Sequence, residues 1–173
     1  MEGYWCYLYA SLCCSFWSST ASFGDVKPLA LQFLEGVAYM QLSSVAHLDL
    51  KPDNIVVQHN RKSKKVDLET VDFDVSVSAD VEPTISKSFG TDGWSAREVT
   101  AGKPYDPLLA DQWSCGRVLE FFMERMKPGQ VRETMRLCPQ QLMDPDPSLR
   151  PCVADVVARV CTQFPGSRTK TQS

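Results

Sequence analysis

From Leu108 to Met123 the chain is apolar on several faces at once, with Trp113, Val118, Leu119, Phe121 and Phe122 spread round a helical projection. A helix of that kind is stable only when other elements surround it. The stretch therefore predicts a buried helix at the centre of a largely helical domain. One carboxylate, Asp111, interrupts it, and a charge in so apolar a setting requires hydrogen-bond partners from elsewhere in the chain. With 173 residues and 43% hydrophobic content, the chain is long enough for one compact domain with its own core.

The remaining elements arrange themselves around that helix. Ser22, Asp25 and Pro28 read as a helix start, because a hydroxyl caps free amides and Pro is tolerated in the first turn. Leu31, Leu34, Val37, Ala38 and Met40 then give an apolar stripe at helical spacing. Ile55 to Val57 and Val66 to Val71 are β-prone runs separated by the polar stretch His59 to Lys65, which predicts a hairpin with a solvated turn. The basic residues of that stretch also fit a nuclear-localisation or anion-binding patch. Beyond Pro128-Gly129 a further helix is expected over Val131 to Leu142, then a turn at Asp144 to Ser148. A last helix follows Pro151, with Val153, Val156, Val157 and Val160 facing inward. The domain is thus expected over 22–164, between an apolar N-terminal segment, 1–21, and a polar, disordered tail, 165–173.

Composition narrows the function classes. The net charge of −3 gives no broad basic surface for nucleic acid or anionic membrane, so neither partner is expected. Residues Tyr4 to Trp17 are uncharged, but the run is shorter than the roughly 20 apolar residues of a membrane span. Glu2 stands where a signal peptide carries basic residues. A segment that packs on another surface is the plainer reading, a targeting segment the alternative. The seven cysteines show no paired C-x-x-C spacing, and His47 and His59 are the only histidines. Reduced thiols in a cytoplasmic or nuclear protein fit this pattern better than disulfides or structural zinc.

The chemistry-bearing residues lie in short motifs. His47-Leu48-Asp49-Leu50-Lys51-Pro52-Asp53-Asn54 sets an acid, an amine and an amide at fixed spacing, and Asp72-Phe73-Asp74 follows 18 residues after Asn54. Gly90-Thr91-Asp92-Gly93-Trp94-Ser95-Ala96-Arg97-Glu98 comes next, then Ala110-Asp111-Gln112-Trp113-Ser114-Cys115-Gly116, and finally Asp144-Pro145-Asp146-Pro147-Ser148-Leu149-Arg150-Pro151. Taken singly, several of these are ordinary turns or surface charges. Their order is another matter: from about Phe23 to Phe164 the chain resembles the eukaryotic-type Ser/Thr protein kinase family. The first motif is similar to its H-R-D-L-K-P-x-N catalytic loop and the second to its D-F-G. The others are similar to G-T-x-x-Y-x-A-P-E, D-x-W-S-x-G and D-P-x-x-R-P.

That resemblance implies a mainly α, kinase-like C-terminal lobe, helical with a short β-hairpin carrying the catalytic and metal-binding loops. It implies ATP and magnesium as cofactors and a protein as substrate. Asp49 would orient and deprotonate a Ser or Thr hydroxyl, and Lys51 would offset charge on the transferring phosphoryl group. Asn54 and Asp72 would hold magnesium through oxygen, Val56 would lie beneath adenine, and Thr91 would place its hydroxyl beside Asp49 and Lys51. His47, Phe73, Glu98, Asp111 and Arg150 would be structural: Asp111 holds the backbone of the catalytic loop, and Arg150 pairs with Glu98.

The departures matter as much. No Gly-x-Gly loop and no phosphate-anchoring strand Lys occur, so the resemblance covers the C-terminal lobe alone and implies slow or no turnover by this chain in isolation. Asp74 replaces a Gly whose backbone freedom other residues lack. Leu48 replaces the Arg that pairs with a phosphorylated activation-segment residue, so Thr84, Ser86 and Ser88 are not expected to act as such a switch. Trp94 and Arg97 also differ from the family pattern. Three functions follow: part of an active Ser/Thr kinase, a pseudokinase-like binding or scaffold module, or a degenerate product that does not fold cooperatively.

Overall fold

A computed structural model describes residues 10–11, 26–60 and 65–163. The cap at Ser22 and Asp25, the Tyr4 to Trp17 run apart from Ala10 and Ser11, the turn residues 61–64 and the tail from Pro165 lie outside the described residues. Among the described residues the fold is mostly helical, with two small sheets.

Strand β1 (Ala10–Ser11) is followed by helix α1 (Lys27–Leu42), which begins with Pro28 in its first turn and has no side-chain cap. The five stripe residues of α1 are buried, and so is Phe33, a fully buried aromatic that the stripe omits. The helix stops where Ser44 turns left-handed, with φ of 55°. Strand β2 (Val45–Ala46) leads through the loop 47–51 and the 3-10 turn Pro52–Asn54 into β3 (Ile55–Asn60), which pairs with β4 (Lys65–Thr70) from Ile55↔Thr70 to Asn60↔Lys65. The hairpin is longer than its apolar run suggests: pairing carries β3 through the polar residues 58–60, and β4 stops before Val71. In β4, Val66 and Leu68 pack toward the helices while Asp67 and Glu69 are exposed, the period-2 alternation of a half-buried strand.

Both edges of the hairpin are occupied. β1 pairs with β3, Ser11 opposite Val56 and Ala10 opposite Val57. On β4 the Gln32 amide serves the backbone, its Nε2 donating to the Val66 carbonyl at 2.9 Å and its Oε1 accepting from Leu68 N at 2.9 Å. Those bonds satisfy groups that an edge strand otherwise leaves open to another chain.

Strand β5 (Val77–Ser78) pairs with β2, a second sheet that no sequence run of this length announces. Helix α2 (Arg97–Thr100) is a single turn, and α3 (Pro107–Arg125) is the expected central helix. Asp106 caps α3, its Oδ1 accepting from Leu108 N at 2.8 Å and Leu109 N at 3.2 Å. Phe122 of α3 meets Phe33 of α1 with ring centroids 5.9 Å apart, while Trp113 and Phe121 are only half-buried. The single helix expected over Val131 to Leu142 is two, α4 (Gln130–Met135) and α5 (Cys138–Leu142). Pro139 is the reason: it has no N–H to donate back to the preceding turn, and it suits the first turn of a new helix. α5 sits so close to α3 that a Cβ at Gly116 would come within 2.8 Å of Leu142 Cβ. A 3-10 turn (Pro147–Leu149) precedes α6 (Val153–Gln163), where Val153, Val156 and Val160 are buried and Val157 half-buried.

Among the described residues no helix is long and apolar enough to cross a membrane, and no group of three or more His, Cys, Asp or Glu is placed to hold a metal ion. Cys115, Cys138, Cys152 and Cys161 are free thiols, the first two buried.

Candidate active site

The loop from His47 to Asn54 is fixed from below by α3. The carboxylate of Asp111, 1% exposed, accepts the N–H of His47 at 2.5 Å and of Leu48 at 2.8 Å. Two consecutive amides face one carboxylate because Leu48 is left-handed, with φ of 66°, an arrangement that makes a backbone nest for an anion. Burial pushes the Asp111 carboxyl up to about 7, and the two amides pull it back down. His47 is fully buried, and burial lowers its pKa. Its Nδ1 faces the Asp49 N–H at 3.3 Å and so accepts, which makes Nε2 the donor to the Val71 carbonyl at 3.0 Å. The imidazole packs on Phe73, centroids 4.7 Å apart.

Above this support four side chains converge. Lys51 Nζ lies 2.7 Å from Asp49 Oδ2 and 2.7 Å from Thr91 Oγ1. The Thr91 hydroxyl donates to Asp49 Oδ1 at 2.8 Å, and Asn54 Nδ2 donates to the Asp49 carbonyl at 2.9 Å and to its Oδ2 at 3.1 Å. Lys51 stands 2 positions from Asp49 and Thr91 stands 42 away, so the second contact is made only by the fold. Gly90 makes the approach possible: its φ is 90°, and a Cβ there would come within 2.7 Å of the Leu48 carbonyl oxygen.

Asp72 follows Val71, whose N–H donates to the Asn54 carbonyl at 2.9 Å, so the chain brings residue 72 alongside residue 54. Asp72 and Asp74 are exposed, and neither carboxylate bonds to another described residue. The torsional penalty anticipated at Asp74 does not arise: the left-handed residue is Asp72, with φ of 68°. Phe73 remains 43% exposed. Val56 is buried in β3 between Ser11 and Glu69 and bonds to none of the four converging side chains.

Arg150 and Glu98 meet across 52 positions. Arg150 Nη1 donates to Glu98 Oε1 and Nη2 to Oε2 at 3.1 Å, and the Arg150 side chain is 1% exposed. Two carbonyls complete the guanidinium shell, Leu109 at 2.7 Å from Nη1 and Asp144 at 2.9 Å from Nε. Sequence patterns do not point to these carbonyls, nor to that of Val71, because every residue carries one. Tyr105 was also missed. Its hydroxyl donates to the Lys87 carbonyl at 2.8 Å, and Pro104-Tyr105-Asp106 ahead of a buried helix is too ordinary a turn to signal it.

This geometry accompanies a clear family membership. The protein kinase domain model matches residues 15–171, and the chain belongs to that family. It is 32% identical over 143 residues to CBL-interacting protein kinase 25 of Oryza sativa subsp. japonica, a match covering 79% of this chain and 27% of that protein. Sperm motility kinase 2B of Mus musculus is 29% identical over 154 residues, covering 77% and 31%. Serine/threonine-protein kinase GIN4 of Saccharomyces cerevisiae is 28% identical over 149 residues, covering 82% and 12%. The chain thus spans less than a third of the length of these relatives.

Proposed function

We propose that this chain is the C-terminal lobe of a Ser/Thr protein kinase, with residues 22–164 forming that lobe and Asp49 as the residue that receives the proton of a substrate hydroxyl. The observation that carries the reading is the convergence on Asp49. Its carboxylate is oriented by Lys51, Asn54 and Thr91 together, the constellation expected of a base held in register with a charge-stabilising amine. The Thr91 hydroxyl occupies Asp49 Oδ1, and a substrate hydroxyl would take a place beside it.

Magnesium suits the donor set: the Asp72 carboxylate is unengaged by other described residues, and Asn54 uses its amide nitrogen on Asp49, leaving its oxygen without a bond to a described residue. Both offer the oxygen ligands this cation prefers. Bound there with ATP, it would neutralise charge on the phosphates. The chain's own residues would do the rest: Asp49 would take the proton, Lys51 would offset charge on the transferring group, and Val56 would supply apolar surface for the base. Phosphoryl transfer depends chiefly on positioning, so this lobe alone is proposed to turn over slowly or not at all.

A second reading, a pseudokinase-like scaffold that binds partners, is favoured by the exposure of Phe73 and by Asp74 beside Asp72. Thermal unfolding with Mg-ATP, with magnesium alone and in Asp72→Ala separates the two. A magnesium-dependent ATP shift that the variant loses supports the kinase reading. A cooperatively folding chain with no such shift would count for the scaffold.

A further inference from the structure

Leu48 is used three ways at once. Its N–H is bound by Asp111 at 2.8 Å, and its carbonyl oxygen lies where a Cβ on Gly90 would come within 2.7 Å. Its side chain, 6% exposed, belongs to an apolar cluster separate from the main core, with Ala46, Ile85, Ala96, Val99, Tyr105 and Ala110. Val75, Val77 and Phe89 pack on that cluster from the same side of the sequence. Most of these residues come from one stretch, the chain between Asp72 and Val99.

Backbone bonds fasten the same stretch. Ala79 N donates to the Ser44 carbonyl at 2.7 Å, β5 pairs with β2, and Ile85 and Tyr105 exchange both N–H···O bonds at 3.0 and 2.9 Å. Between Val75 and Gly90 the charged side chains add no ion pair to the fastening: Asp80, Glu82 and Lys87 form none with a described residue. Thr84, Ser86 and Ser88 are exposed, and Ile85 between them is buried. A segment ordered by phosphate needs a cation waiting for that phosphate, whereas the side chain facing this one is a leucine.

We infer that Leu48 is a positioning residue: it latches the stretch 75–90 by apolar packing, so that Thr91 is presented to Asp49 and Lys51 without covalent modification. The catalytic purpose rests on the phosphoryl-transfer reading above, while the latch itself does not.

Lys87 provides the test, because trypsin cleaves after it. The full 173-residue chain, shown by mass to carry no phosphate, is digested under native conditions beside a urea titration of global stability. The wild-type chain is expected to resist cleavage at Lys87. In Leu48→Ala, cleavage there is expected to rise about 30-fold beyond what lowered global stability explains, the fold-change matching the low end for a buried Leu→Ala substitution. Leu48→Met, similar in volume and unbranched at Cβ where φ is positive, is expected to restore most of the protection. If Leu48→Ala does not fold, Ile85→Ala opens the same cluster from the segment side and is expected to give the same result. Cleavage of the unphosphorylated wild type as fast as of the unfolded chain would overturn the latch. So would cluster variants whose cleavage follows global stability alone. A protected Lys87 in a chain without a magnesium-dependent ATP shift supports the latch and removes the phosphoryl-transfer reading only.

Discussion

Around Phe33 and Phe122 the helices meet mainly through apolar side chains, and many residues share the work: Leu34, Val37, Val118, Leu119, Met135, Leu142 and Val156 are all buried in one cluster. In the loop layer that carries Asp49 and Thr91, the small apolar cluster round Leu48 is joined by a few buried polar anchors, Asp111 under the loop, His47 against Val71, and Arg150 on Glu98. Apolar packing is non-directional and roughly additive in area. A buried charge is all or nothing, since removing one partner leaves the other desolvated and unpaired. The helical core should therefore tolerate conservative change, and the loop layer should not.

The largest effect should come from Arg150. Arg150→Ala leaves Glu98 and two carbonyls without their donor and is expected to cost about 3–5 kcal/mol, the usual result of breaking a buried pair, read as a lower urea midpoint. Arg150→Lys sharpens the contrast: it keeps the charge but not the planar fork, and should recover only part of the loss. Full recovery would show that charge alone matters there. Gly90→Ala comes next, since its Cβ would meet the Leu48 carbonyl at a positive φ. Strain of that kind costs on the order of 1–3 kcal/mol, and the same chain should show faster amide exchange at Thr91.

Met135→Leu tests the other side of the comparison. Met135 is fully buried, yet a swap of similar volume should cost less than about 1.5 kcal/mol. A larger loss would mean that the core is as exacting as the loops.

The smallest effect is a slope. Burial holds His47 below 6.5, so the unfolded chain takes up a proton that the folded chain resists, and stability is lost as pH falls through that value. Asp111 acts in the opposite sense. Folded, it keeps its proton up to about 7, where the unfolded carboxyl has released it near 3.8, so this group lowers stability as pH rises between those values. His47→Leu removes the first contribution and leaves the second. Between about pH 5 and 6.5 its stability should gain less with rising pH than the wild type's does, whatever the overall loss. Unfolding midpoints across that range check it, and parallel curves would show that His47 is not held neutral.

Local pattern carried much of the helical core. Period and composition place α1, α3 and α6 because burying an apolar face dictates where apolar residues recur. The same logic missed the break at Pro139, where the loss of one N–H outweighs the apolar pattern around it. In the site, motif order was enough to single out Asp49, Lys51, Asn54 and Thr91, and Lys51 stands only 2 positions from Asp49.

What the chain alone determined is therefore α1, α3 and α6, the presence of a hairpin, and its family. The tertiary structure decided which distant groups answer each buried charge: Asp111 takes the amides of His47 and Leu48, and Arg150 takes Glu98 with the carbonyls of Leu109 and Asp144. It also placed the left-handed turn at Asp72 rather than Asp74, paired β5 with β2, and buried Leu48 under the stretch that ends at Thr91. The physical reason is that periodicity reports burial, a property of each residue. A hydrogen bond to a backbone group depends on where another part of the chain arrives, and every residue offers the same carbonyl and every residue but proline the same N–H.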